Sequence, residues 1–118
     1  MQFSTLVRSE HLNHNGKLFG GYMLLWVDEY AYIAAVKDYT GAHFVTRAMD
    51  DVSFTKGVGL GAILTFDVCA TKIGCTSVTY SVKVTATELP DGRSQEVFST
   101  HVTMCNIDEN GNRKELPQ

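Results

Sequence analysis

The sequence is poor in charge, proline and cysteine, and it holds no long apolar run. Ten Lys and Arg stand against 13 Asp and Glu, a formal charge of −3 with an isoelectric point near 5.7. A basic footprint, the main source of nucleic-acid affinity, is therefore missing, and no DNA or RNA partner is expected. The longest apolar stretch, Tyr22 to Val27, falls far short of the ~20 residues a membrane-spanning helix needs, so no membrane is expected either. Met1 to Glu10 contain Arg8 and lack the apolar centre of a signal peptide. Cys69, Cys75 and Cys105 are odd in number and spaced 6 and 30 apart, which fits reduced thiols better than a disulfide framework. A cytoplasmic, soluble protein is the expectation.

With 118 residues the chain is read as one domain over residues 1–118, able to bury roughly two thirds of its extended surface. Charged residues are 19% of the chain, below the ~25% of an average domain. That shortfall points to surface shared between subunits, hence to a homo-oligomer.

Turn chemistry opens the informative part of the chain, in the polar loop His11 to Lys17 with its Asn13-His14-Asn15-Gly16 run. From Gly20-Gly21 to about Asp38 the residues are apolar or aromatic almost all round a helical wheel, which predicts a helix buried on every side. Gly41 supplies its stop. Beyond it the period changes from 3.6 to 2. In Ser77 to Thr87, Val78, Tyr80, Val82, Val84 and Ala86 alternate with Ser, Thr and Lys, the pattern of a strand with one wet face. His43 to Phe54, Ala62 to Thr71 and Gln95 to Ile107 read as further strands, and Leu89 to Arg93 as a hairpin turn. The fold class is α+β: an antiparallel sheet of about five strands wrapped around one long central helix, the hotdog arrangement.

Two adjacent carboxylates, Asp28 and Glu29, interrupt the apolar helix. Adjacent helical residues are ~100° apart, so at least one of them faces packed protein, where an unpaired charge is costly. Leu24, Leu25, Ala31 and Tyr32 flank Asp28 at i−4, i−3, i+3 and i+4, an apolar surround with room beside the small Ala31. A carboxylate so placed is a candidate base or nucleophile. A partner Arg, or a wet seam between subunits, is the non-catalytic alternative. At the helix start, Gly20 and Gly21 let a ligand approach unpaired backbone N–H groups and the positive end of the helix dipole. Asn13 offers a neutral carboxamide that holds water or a carbonyl oxygen, although asparagine in a loop also serves simply as a turn residue. His11 and His14 have no further ligand at metal spacing, and no metal site is expected. Gly57, Gly59 and Gly61 precede a strand rather than a helix, so they are not a dinucleotide fingerprint but a kink or close approach at a strand start.

Asn13 to Gly21, followed by Val27-Asp28-Glu29, resembles the acyl-CoA thioester hydrolases of the hotdog superfamily, of the cytosolic acyl-CoA hydrolase type. Asp50 to Phe54, Gly74-Cys75-Thr76-Ser77 and Asp108-Glu109-Asn110-Gly111 are similar to further motifs of that family, in order along the chain. Gly57 stands where the family usually has Pro, and Val27 where it has Met.

The resemblance implies hydrolysis of acyl-CoA to CoA and a carboxylic acid. Asp28 is then the base or nucleophile; Glu29 beside it is the alternative working carboxylate, and otherwise a substrate-binding residue. Asn13 of a neighbouring subunit places water or thioester, and the amides of Gly21 and Gly20 polarise the carbonyl. Gly74, Cys75, Thr76 and Ser77 meet the pantetheine and nucleotide end, with Arg47, Lys56 and Lys72 as partners for its phosphates. CoA belongs to the substrate and no separate cofactor is implied; the oligomer is built on a dimer with shared sites. A non-catalytic acyl-CoA-binding module and an enoyl-CoA hydratase-like enzyme are the alternatives. Asp38 and His43 show the hydratase spacing, but on the wrong side of the helix.

Overall fold

The computed structural model describes residues 1–117. Its elements run β1 (Gln2–Leu6), a short 3-10 turn (Ser9–His11), α1 (Gly20–Asp38), β2 (Phe44–Phe54), β3 (Ile63–Ile73), β4 (Ser77–Glu88) and β5 (Arg93–Asn106). All five strands pair antiparallel in the order β1-β3-β4-β5-β2. Strand β2 therefore forms one edge of the sheet, with its outer hydrogen-bonding side unpaired within the chain.

Strand β4 sits at the centre and follows its period of two: Val78, Tyr80, Val82, Val84 and Ala86 are buried under the helix. Helix α1 contributes Met23, Trp26, Val27, Ala31, Ala34 and Ala35 to the same core. Three alanines on that face keep its side chains short, so helix and sheet approach closely. A helix buried on every side is not what forms. Leu25 is 53% and Tyr32 46% exposed, on the stripe that faces away from the sheet with Glu29 between them. One sheet can cover only one side of a helix, and the apolar residues opposite are left for another surface.

Strand β1 has no counterpart among the sequence-based expectations. It docks by its inward residues: Phe3 stacks on Tyr30 with ring centroids 4.4 Å apart, and Thr5 bonds the Tyr30 hydroxyl. The chain after β5 folds back on the β3–β4 turn, where Leu116 N–H donates to the Cys75 carbonyl at 2.9 Å. Strand β2 bulges between Asp50 and Ser53, with Asp51 at a φ of 55°. Cys69, Cys75 and Cys105 are free thiols. Among the described residues no helix is long and apolar enough to cross a membrane.

Candidate active site

Asp28 lies in the middle of α1, half-buried, where the helix passes strand β2. Its Oδ1 accepts a hydrogen bond of 2.5 Å from the Thr46 hydroxyl, whose oxygen also lies 3.6 Å from Met104 Sδ on β5. Both contacts follow from register, because Thr46 pairs with Met104 and both face the helix. Among the described residues no Lys, Arg or His forms an ion pair with Asp28, and its Oδ2 accepts no hydrogen bond. The carboxylate is thus held by one oxygen and free at the other. Its surround is less closed than expected: Ala31 is buried and Leu24 half-buried, whereas Leu25 and Tyr32 lie on the outward stripe. Glu29, one residue on, is exposed and points into that stripe, away from Thr46.

At the helix start the chain enters from Phe19, an extended residue that supplies no side-chain cap. Among the described residues the N–H groups of Gly20 and Gly21 have no hydrogen-bond acceptor, while the Tyr22 N–H donates to the Phe19 carbonyl at 3.0 Å. Both glycines lie under aromatic rings. A Cβ on Gly21 would come within 2.5 Å of the Phe19 ring, and one on Gly20 within 3.3 Å of the Phe54 ring. Beside Gly20 an open cleft of about 260 Å³ is lined by Leu18, Met23, Phe54, Lys56 and Val58. Gly20 and Asp28 are eight residues apart, about 12 Å along the axis at 1.5 Å per residue. That exceeds the reach of a single reacting carbonyl, so the amides and the carboxylate of one chain do not converge on one point.

Asn13 is half-buried, and its side chain closes the loop on itself. The carboxamide oxygen accepts N–H bonds from Asn15 at 2.8 Å and Lys17 at 3.2 Å. With both lone pairs engaged, the amide NH₂ is the part left to donate. Gly16, at a φ of 73°, completes the turn. Just before it, the His11 ring packs edge-on against Tyr22 and Trp26, and its Nδ1 accepts the Arg8 N–H at 2.9 Å.

Gly74, Cys75 and Thr76 form the β3–β4 turn, and Ser77 begins β4. Gly74 and Ser77 line a cleft of about 280 Å³ with Arg47, Lys72, Thr79 and Thr103, on the sheet face turned away from α1. Of the three basic residues singled out in the sequence, Arg47 and Lys72 meet there; Lys56 lies at the helix-start cleft instead. Asp38 accepts the Tyr80 hydroxyl at 2.8 Å at the far end of α1 and takes no part in the site. Thr46 was not singled out in the sequence. Eighteen positions separate it from Asp28, and only the strand register brings them together.

One long helix laid across a five-stranded antiparallel sheet, with a half-buried carboxylate on the helix, defines the hotdog class. The chain belongs to the thioesterase superfamily, whose family model matches residues 15–91. It is 30% identical over 106 residues to YkhA of Bacillus subtilis, an uncharacterized acyl-CoA thioester hydrolase, covering 90% of this chain and 60% of that protein. The chain thus spans less than two thirds of that relative's length. Among solved structures it superposes on the acyl-CoA hydrolase of Staphylococcus aureus, in complex with butyryl coenzyme A, coenzyme A and coenzyme A disulfide, with a TM-score of 0.88 and 26% identity, over 99% of this chain and 71% of the other. The hexameric hotdog-fold thioesterase of Campylobacter jejuni superposes with a TM-score of 0.87 and 27% identity, over 97% and 87% of the two chains.

Proposed function

We propose that the chain hydrolyses acyl-CoA thioesters to CoA and a carboxylic acid, in a site assembled from two copies. The observation that carries this reading is the Asp28 carboxylate, held at Oδ1 by Thr46 and free at Oδ2, about 12 Å from the amides of its own helix start. A second copy across the open β2 edge supplies what one chain does not bring to that carboxylate: an Asn13 NH₂ donor and a glycine-lined helix start.

In this arrangement the thioester carbonyl oxygen accepts from the Gly21 N–H, with Gly20 beside it, and Asn13 Nδ2 donates to the water or the thioester. Free Oδ2 of Asp28 takes the proton as the water oxygen bonds to the carbonyl carbon; the C–S bond then breaks, and the thiolate leaves as CoA and receives that proton. In the nucleophilic variant Oδ2 bonds to the carbonyl carbon itself, and the C–S bond breaks to release the thiolate. Water then cleaves the acyl-aspartyl anhydride, releasing the carboxylic acid, restoring Asp28 and supplying the thiolate's proton. Amide donors aimed at a developing oxyanion contribute a few kcal/mol, and a placed general base about 10²- to 10⁴-fold. Glu29 lies at the mouth of the site on the outward stripe. Arg47 and Lys72, with Gly74, Cys75, Thr76 and Ser77, suit the phosphates and pantetheine of CoA, which enters as part of the substrate and puts the work in the cytoplasm. Relatives named as acyl-CoA hydrolases and a structural neighbour holding butyryl-CoA support this choice of substrate. A homo-oligomer built on a dimer follows, and the hexameric neighbour is consistent with it.

Thiol release from a panel of acyl-CoAs tests the reading. Turnover by the wild type and its loss in Asp28→Asn at unchanged fold and oligomer size are expected. Binding without turnover would make the chain an acyl-CoA-binding module, and water addition to an enoyl-CoA would make it a hydratase.

A further inference from the structure

The cleft beside the helix start has fixed walls. Leu18, Met23, Phe54 and Val58 line it, and Met23 and Val58 are buried beneath. Two main-chain bonds hold the segment from residue 55 to residue 58 in place: the Thr55 N–H donates to the Val97 carbonyl at 2.9 Å, and the Leu18 N–H to the Val58 carbonyl at 2.8 Å. The Phe54 ring stands between sheet and helix. It packs edge-on against buried Phe98, with centroids 4.8 Å apart, and lies so near Gly20 that a Cβ there would come within 3.3 Å of it. Lys56 is the one charged residue among those lining the cleft, and it is exposed.

We infer that this cleft takes the acyl tail of the substrate and that Phe54 sets the length of tail it accepts, which rests on the thioesterase reading above. A carbonyl oxygen that accepts from the Gly20 or Gly21 N–H puts its carbon within about 4 Å of those amides, at the rim of the cleft. Two chains leave that carbon. The one that ends in phosphates finds cations at Arg47 and Lys72, and the apolar one is matched by Leu18, Met23, Phe54 and Val58. At the ~30 Å³ of a water-sized group, 260 Å³ holds at most about eight methylenes. Short and medium straight-chain acyl groups fit; a palmitoyl tail does not. Because the Phe54 ring fills the gap from Gly20 to Phe98, it limits how far a tail entering beside Gly20 can run between helix and sheet.

Thiol release from a straight-chain series, acetyl-CoA to palmitoyl-CoA, tests this in the full chain and in two variants of opposite sense. Burial of one methylene is worth about fourfold, so wild-type kcat/KM should climb about fourfold per carbon from acetyl-CoA and turn down near octanoyl-CoA. Phe54→Ala vacates the ring space and should carry the maximum about two carbons or more further along the series. Phe54→Trp enlarges the ring and should draw the maximum back by a similar step. The quantity read is the ratio between chain lengths within each protein. A ring with a merely structural role would scale every substrate alike and leave that ratio unmoved.

Identical length profiles in all three proteins overturn the inference, and so does a shift of both variants in the same direction. Should Phe54→Ala not fold, Phe54→Leu replaces it with the same expected direction. Absence of turnover with every acyl-CoA sinks the thioesterase reading alone. Calorimetric binding of S-alkyl-CoA thioethers over the same chain lengths then decides. Affinity that rises with tail length and breaks off later in Phe54→Ala than in the wild type upholds the cleft. Affinity indifferent to tail length, or no binding at all, overturns it.

Discussion

The Thr46 hydroxyl on β2 donates to Asp28 Oδ1 on α1 at 2.5 Å, joining the edge strand of the sheet to the middle of the helix. One bond sets the direction of the carboxylate and leaves one oxygen available. Thr46→Val keeps the shape and deletes the donor, and it is expected to lower kcat by about tenfold or more with KM little changed. Thr46→Ser keeps the hydroxyl and should stay within about threefold of wild type. Steady-state thiol release distinguishes these outcomes, and equal losses in both variants would deny the hydroxyl its role.

Asn13 closes its loop with its side-chain oxygen and, in the proposed site, donates with its amide, and two substitutions separate the two roles. Asp at position 13 retains oxygens for the N–H groups of Asn15 and Lys17 but has no amide to donate. Asn13→Asp should therefore unfold within about 1 kcal/mol of wild type in urea while losing activity by about 10²-fold. Asn13→Ala should lose activity and also about 1 kcal/mol of loop stability. Retained activity in Asn13→Asp would reduce the residue to a turn former.

Gly21 lies beneath the Phe19 ring, which is 54% exposed and free to swing aside. Alanine there gains helix propensity and displaces the ring, two effects of opposite sign, so stability should change by less than about 1 kcal/mol. The new methyl and the moved ring crowd the approach to the amide. Gly21→Ala is expected to keep its Tm within a few degrees and to lose about tenfold or more in kcat/KM. Unchanged turnover would remove that amide from the oxyanion site.

Much of this frame was legible in the sequence. Strand β4 declared itself because Val78 to Ala86 face one side of the sheet and their neighbours the other, and Gly41 and Gly92 ended their elements at φ values of 95° and 69°. Strand β1 was not legible, since five residues with two inward side chains, Phe3 and Thr5, make too short a pattern to stand out. Nor was the outward stripe of α1: Leu25 and Tyr32 have the same apolar character as the residues that reach the sheet, and composition does not say which side a single sheet will cover. Asp28, Asn13 and the two glycines stood out because a charge, a turn amide and a bare backbone are conspicuous beside an apolar helix. Thr46 looked like any other β-branched strand residue until the register of β2 on β5 turned it toward the helix.

Tyr80 and Asp38 provide a check on the core that is independent of activity. Burial first, then the hydrogen bond to the Asp38 carboxylate and its negative charge, pushes the Tyr80 phenol above the usual tyrosine value of about 10. A group whose folded value is raised contributes its stability in full below the unfolded value and loses it as pH climbs beyond. Tyr80→Phe should therefore be less stable than wild type by about 1 kcal/mol at pH 8. Above pH ~10 the wild type should lose stability faster than the variant, so the gap narrows. Urea unfolding at both pH values measures it, and parallel curves would contradict the assignment.

Sharing of the site between two copies is tested most directly by mixing two inactive proteins. Asp28→Asn lacks the carboxylate and Asn13→Asp lacks the donor, yet a hybrid pair contains one site with Asp28 from one copy and Asn13 from the other. Equal amounts, exchanged to equilibrium and assayed for thiol release, should recover about a quarter of wild-type turnover, since half the pairs are hybrids with one complete site each. A mixture no more active than the mean of its two components would show that Asp28 and Asn13 do not meet across an interface.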